Sequence, residues 1–165
     1  VVQNLNPTSV SRVWVKDSTD TTLNWGWPPL VLDSALSVSA VSASLGLGVA
    51  QAEEYKRAYG LDANMGGGKV AEALKTVFAS VVDEIKKALQ YYKTEIGDTN
   101  PITTLILSGG TAGMPEVVPY LAQTLGIDVL IGDPFVKIAK DTPMDKSFVA
   151  YAPLYGVAIG AAENQ

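Results

Sequence analysis

Ile102-Thr103-Thr104-Leu105-Ile106-Leu107-Ser108-Gly109-Gly110-Thr111-Ala112-Gly113-Met114-Pro115 is an apolar run that halts at paired glycines and restarts as a helix. Four to eight consecutive apolar or β-branched residues read as a buried strand, and Gly-Gly is a strong local stop. Pro115 suits a first helical position and Glu116 complements the positive end of a helix dipole, so a helix is expected over residues 115–125, closed by Gly126. A strand, a side-chain-free turn and a helix N-terminus together let a ligand come close to backbone N–H groups. A nucleotide or another anion is what such a turn would take.

Downstream, Val129-Leu130-Ile131 reads as a short strand and Asp133-Pro134-Phe135 as a turn, followed by a polar stretch to Ser147. A small apolar helix over residues 153–162 could lay Tyr155, Val157, Ala158 and Ala161 against a sheet. Upstream, Val70, Leu74, Val77, Phe78, Val81, Ile85, Leu89 and Tyr92 recur at helical spacing, while Glu72, Lys75, Asp83, Lys86 and Lys87 mark a solvated face. This predicts one long helix from residue 70 to about 95. Before it, residues 61–69 form a Gly-rich connection, and residues 49–59 are good helix formers closed by Gly60 at the C′ position. Asp33-Ser34 reads as the N-cap of a Ser-rich helix holding Ala35, Leu36, Val38, Val41 and Leu45 and stopping at Gly46. Residues 1–32 are strand-like, with a hairpin loop at Lys16-Asp17-Ser18-Thr19-Asp20 and a stop at Pro28-Pro29. Trp14, Trp25 and Trp27 read as sheet packing or a covered interface. A hairpin followed by alternating helices and strands is an α/β fold, a mixed sheet with helices on its faces.

Composition narrows the chemistry. At 165 residues the chain suits one domain, burying about 70 % of its unfolded surface. Cysteine and histidine are both absent, which excludes disulfides, thiol chemistry, the usual zinc ligand sets and every His-dependent triad. A net charge of −5 without a basic cluster argues against nucleic acid or an anionic membrane as the main partner. No stretch reaches the ~18–20 apolar residues that span a bilayer, so direct membrane insertion is not expected and the protein should be soluble. Opening on Val1-Val2 without Met, as though inside a strand, the chain reads as a piece of something longer.

Several segments together resemble one family. Leu107-Ser108-Gly109-Gly110-Thr111-Ala112-Gly113-Met114-Pro115, the helix ending at Leu125-Gly126-Ile127, and Asp133-Pro134-Phe135 are similar to the C-terminal part of the type IV pilus assembly protein PilM family. That family has an actin-like (ribonuclease H-like) fold and is related to the cell-division protein FtsA. Ala52-Glu53-Glu54-Tyr55-Lys56-Arg57-Ala58-Tyr59-Gly60-Leu61 resembles the helix before the family's long helix, and Ile85-Lys86-Lys87-Ala88-Leu89-Gln90-Tyr91-Tyr92 the end of that long helix. The order and spacing agree from about Leu45 to Ala162, whereas residues 1–44 match only in layout.

The resemblance implies that residues 1–165 are a single actin-like lobe, the second of two, with the first lobe lacking. It implies ATP, with Mg²⁺, in the cleft between lobes of the intact protein, and weak or absent binding by this chain alone. The Gly-Gly turn, here Gly109, Gly110 and Thr111, would face the nucleotide, and a Glu-x-x-Lys helix, here Glu53 and Lys56, would lie beside ribose and base. A carboxylate can accept ribose hydroxyl protons and an ammonium can meet phosphate or base acceptors. The family's Asp-x-Gly phosphate turn falls at Gln3-Asn4-Leu5-Asn6-Pro7-Thr8, which has neither the acid nor the glycine. ATP binding without efficient hydrolysis is therefore the expectation, and no catalytic or metal-ligating residue is assigned. The implied role is a cytoplasmic scaffold, peripheral to the inner membrane through pilus assembly partners, that couples ATP binding to their assembly.

Each signal also has a plainer reading. Taken alone, Gly109-Gly110 is a tight turn and Glu53 with Lys56 a solvated pair worth a few tenths of a kcal/mol. Gly66-Gly67-Gly68-Lys69 lacks the full phosphate-loop spacing and follows no strand, so it reads as a flexible connection. The alternative function is a fragment of an actin-fold kinase or ATPase, which would need a carboxylate and Mg²⁺ ligands aimed at a γ-phosphate. Dinucleotide binding is weaker still, because Gly109-Gly110-x-x-Gly113 is not G-x-G-x-x-G.

Overall fold

The computed structural model describes residues 10–17, 22–23, 31–96, 100–133, 135 and 155. In chain order these form strands β1 (Val10–Asp17), β2 (Thr22–Leu23) and β3 (Val31–Asp33), helices α1 (Ser34–Leu45), α2 (Val49–Tyr59) and α3 (Lys69–Ile96), strand β4 (Ile102–Ser108), helix α4 (Val117–Leu125) and strand β5 (Asp128–Ile131). The expectations for the phosphate turn at residues 3–8, for Trp25 and Trp27, for Pro28-Pro29 and for most of residues 153–162 lie outside the described residues. So does the Trp14 side chain.

The sheet is mixed. β1 runs antiparallel to β4, with Val13 opposite Leu107 and Val15 opposite Leu105, while β5 lies parallel to β4 on its other side, with Val129 opposite Leu105. On the outer edge of β1 sit both β2 and β3, antiparallel to it. Val15 pairs with Leu23 and Arg12 with Val31. At the end of the strand-like stretch read over residues 1–32, β3 forms as a separate short strand whose pairing is contributed by β1, a distant stretch of chain that local composition does not reveal.

Burial on α3 recurs at Val70, Leu74, Phe78, Val82 and Ile85, the spacing of one helix face. Val82 was not among the positions picked out by periodicity, and Val77 and Val81 flank the stripe half-buried. These side chains join Val38 and Val41 of α1, Ala52 of α2, Leu105 and Leu107 of β4, Val117 and Leu121 of α4 and Val129 of β5 in one core. Phe78 meets Tyr120 edge to face, ring centroids 6.0 Å apart, which ties α3 to α4. Farther along the chain Tyr155, half-exposed, packs its ring 6.3 Å from that of Phe135.

The helix ends follow local chemistry. α1 stops at Gly46, left-handed at φ 66°, and the Ser42 hydroxyl donates to the Leu47 carbonyl at 2.6 Å. The Gly-rich connection is more ordered than its composition suggests. Gly66, Gly67 and Gly68 all have positive φ and form a short 3₁₀ turn that enters α3 directly, and a Cβ on Gly66 would meet the Tyr59 ring at 3.1 Å.

Candidate functional site

β4 delivers the chain into the glycine turn. Gly109 stands at φ 94°, ψ 178°, a backbone region open essentially to glycine alone. A short 3₁₀ turn, Gly110–Gly113, follows, held by Ala112 N–H donating to Gly109 O at 3.1 Å and Met114 N–H donating to Thr111 O at 3.2 Å. Thr111 and Ala112 face inward, whereas Gly110 and Gly113 are exposed. The turn therefore presents bare backbone on its outer side, anchored from beneath by the core. At the same end of the parallel pair, Gly132 N–H donates to Leu107 O at 2.7 Å, and Asp133 Oδ1 accepts from Phe135 N–H at 2.9 Å. Gly132 and Asp133 thus lie beside the end of β4. In α/β sheets, ligands bind outside the carboxyl ends of the strands.

The helix after this turn begins later than residue 115. α4 starts at Val117, Pro115 precedes it, and Glu116 is left-handed at φ 61° with no side-chain cap bond. Pro119 supplies the reason. A helix begun at Pro115 would need an N–H from residue 119 to reach the Pro115 carbonyl, and proline has none. The first bond of α4 is instead Tyr120 N–H to Glu116 O at 3.1 Å. The Pro115 carbonyl accepts from Leu61 N–H, 3.0 Å away.

That bond brings the end of α2 to Pro115. Gly60 caps α2 at φ 52°, its N–H donating to Lys56 O at 2.9 Å. A Cβ on Gly60 would meet Pro115 O at 2.4 Å and the Pro115 ring at 2.9 Å. One helical turn earlier, Lys56 Nζ lies 2.7 Å from Glu53 Oε2, and Arg57 Nε donates to Glu53 Oε1 at 2.8 Å. The Lys56 side chain is 5 % exposed and that of Glu53 31 %, so the solvated-pair reading does not describe this pair. Burial alone would raise the Glu53 pKa, but the hydrogen bonds and charges of Lys56 and Arg57 together outweigh it and hold the carboxyl below its ordinary value. An ionised carboxylate has about four acceptor positions, so two remain for ligand hydroxyls.

The structure thus bonds the end of α2 to Pro115, with Glu53 and Lys56 about one helical turn back along α2 and Gly109, Gly110 and Thr111 a few residues before Pro115 in the chain. The contact itself escaped sequence reading, in which Gly60 registers only as a helix stop. The donor set fits the ribose and base of a nucleotide. Among the described residues no group of three His, Cys, Asp or Glu side chains is placed to hold a metal ion, and no single helix is long and apolar enough to cross a membrane.

Residues 37–164 match the family described as Type IV pilus assembly protein PilM. The chain belongs to that family. The match runs from within α1 through β5 and contains all five candidate residues. A solved structure titled "PilM-PilN type IV pilus biogenesis complex" superposes with a TM-score of 0.68 at 22 % identity, over 96 % of this chain and 46 % of the other. That likeness establishes the fold, an actin-like lobe of the PilM type with a mixed sheet and helices on its faces. The chain spans about half the length of the chain it matches in that complex.

Proposed function

We propose that this chain is the second, nucleotide-binding lobe of a two-lobed PilM scaffold, coupling ATP binding to the assembly of pilus partners. The observation that carries the reading is the nearly buried Lys56, paired to Glu53 on the helix whose end is bonded to Pro115, just past the glycine turn. A charge held that far from water needs a partner, and Glu53 supplies it while keeping two acceptor positions for ribose hydroxyls. The exposed backbone at Gly110 lets a nucleotide approach without meeting a side chain. When bound, ATP supplies a phosphate chain whose charge lobe closure can sense. Glu53 and Lys56 orient the nucleoside, and the turn shapes the floor of the cleft. The role is binding rather than hydrolysis, exerted on the cytoplasmic face of the inner membrane through a partner such as PilN, with no membrane insertion by this lobe.

Gly110→Val places a branched side chain at the bare face of the turn. Calorimetry on the full-length protein is expected to show loss of ATP binding with the far-UV circular dichroism unchanged. Unaltered affinity would overturn the assignment of the turn. Steady ATP turnover by the full-length protein would instead move it to the phosphoryl-transfer class.

A further inference from the structure

We infer that Gly60, Pro115 and Pro119 form a latch that sets the position of the Glu53–Lys56 helix relative to the Gly109–Thr111 turn, making them positioning residues for the proposed nucleotide site. The inference rests on the nucleotide-binding reading and adds a specific mechanical link to it. Three independent features converge on one carbonyl. Pro119 removes the helical donor that the Pro115 oxygen would otherwise have, the left-handed backbone of Glu116 starts α4 beyond it, and Leu61 N–H takes it at 3.0 Å. Gly60 provides the space. Any Cβ there would meet that same oxygen at 2.4 Å, a backbone atom that cannot swing aside. Gly60 N–H is in turn bonded to Lys56 O, so the path from latch to ammonium is a single helical turn. A displacement of Pro115 is passed to the carboxylate–ammonium pair on one side and to the glycine turn on the other.

If the two halves of the site are held by this contact, ATP that bridges them must also tighten it, since coupling between two sites is reciprocal. The test is hydrogen exchange at the Leu61 amide in the full-length protein, alone and with saturating ATP, combined with calorimetry. Leu61 is expected to exchange more slowly with ATP bound. Gly60→Ala is expected to weaken ATP binding roughly tenfold, within the usual range of coupling between sites. Gly46→Ala is the control, because Gly46 also has a positive φ, 66°, but nothing lies within 4 Å of an added Cβ. It places a side chain on a positive-φ backbone without the contact to Pro115 and should leave ATP affinity unchanged. Should Gly60→Ala fail to fold, Pro119→Ala serves in its place. It restores an N–H that competes with Leu61 for the Pro115 carbonyl, and is expected to speed Leu61 exchange and weaken ATP binding while the thermal midpoint holds. ATP binding with unchanged Leu61 exchange, or equal affinity losses in Gly60→Ala and Gly46→Ala, would overturn the latch and leave the nucleotide reading standing. Failure of the unmodified protein to bind ATP would overturn both.

Discussion

Lys56 puts an ammonium where only 5 % of its side chain meets water, and Glu53 is the counter-ion that makes this tolerable. Breaking a buried pair from one side costs more than replacing the buried charge by an apolar isostere, because the first leaves a charge uncompensated. Glu53→Gln is therefore expected to lower stability at pH 7 by about 1–3 kcal/mol, below the full buried-pair cost because Glu53 is about a third exposed. Lys56→Met should stay within about 1 kcal/mol of the parent, since Arg57 still neutralises Glu53. The pH dependence follows from the same contacts. A carboxyl whose pKa is lower folded than unfolded contributes stability in full above the unfolded value, about 4.3 for glutamate, and loses it as pH falls through the lower folded value. Urea midpoints measured from neutral pH down to pH 3 should fall less steeply for Glu53→Gln than for the parent. Parallel curves would mean that the pair contributes nothing to acid sensitivity.

At the scale of elements, legibility tracked how local each cause is. α2 and α3 could be read from their helix formers and spacing, because a stripe such as Val70, Leu74, Phe78 and Ile85 lies within one element. β4 and its glycine stop were legible for the same reason. β3 was not, since Val31–Asp33 is a strand only by virtue of Val10, Ser11 and Arg12 opposite it. The start of α4 was misplaced because Pro115 looks like a first helical residue in isolation, whereas Pro119 and the distant Leu61 decide where its carbonyl goes. The five candidate residues could be nominated from the chain; the contact that links them could not. Phe78 tests how far the elements depend on one another. It is 1 % exposed and meets both the core and Tyr120 across the α3–α4 boundary, so Phe78→Ala is expected to cost about 3–5 kcal/mol. Chemical denaturation should show that loss by fluorescence and circular dichroism together, because α3, β4 and α4 share one core. A loss under 1 kcal/mol would show that the α3–α4 junction is loosely packed.

At the scale of the whole molecule, a site built from one lobe offers a nucleotide one wall. The glycine turn and the α2 pair present backbone and a carboxylate, but an ATP molecule resting on them keeps its remaining surface in water, so both its affinity and its effect on stability should be small. Ligand binding to the native state alone stabilises by RT ln(1 + [L]/Kd). For a millimolar site in this chain, ~1 mM ATP therefore adds only about 0.4 kcal/mol, a shift in thermal midpoint of a few degrees at most. In the proposed two-lobed protein the second wall completes the cleft, and ATP at about a hundred times its Kd adds roughly 2.7 kcal/mol. Thermal unfolding of both forms across an ATP titration should show this divergence, with Gly110→Val removing the shift from the full-length protein. Equal large shifts in both forms would place the whole nucleotide site within this lobe and remove the need for a cleft. No shift in either would mean that the buried Lys56–Glu53 pair and the glycine turn serve packing alone.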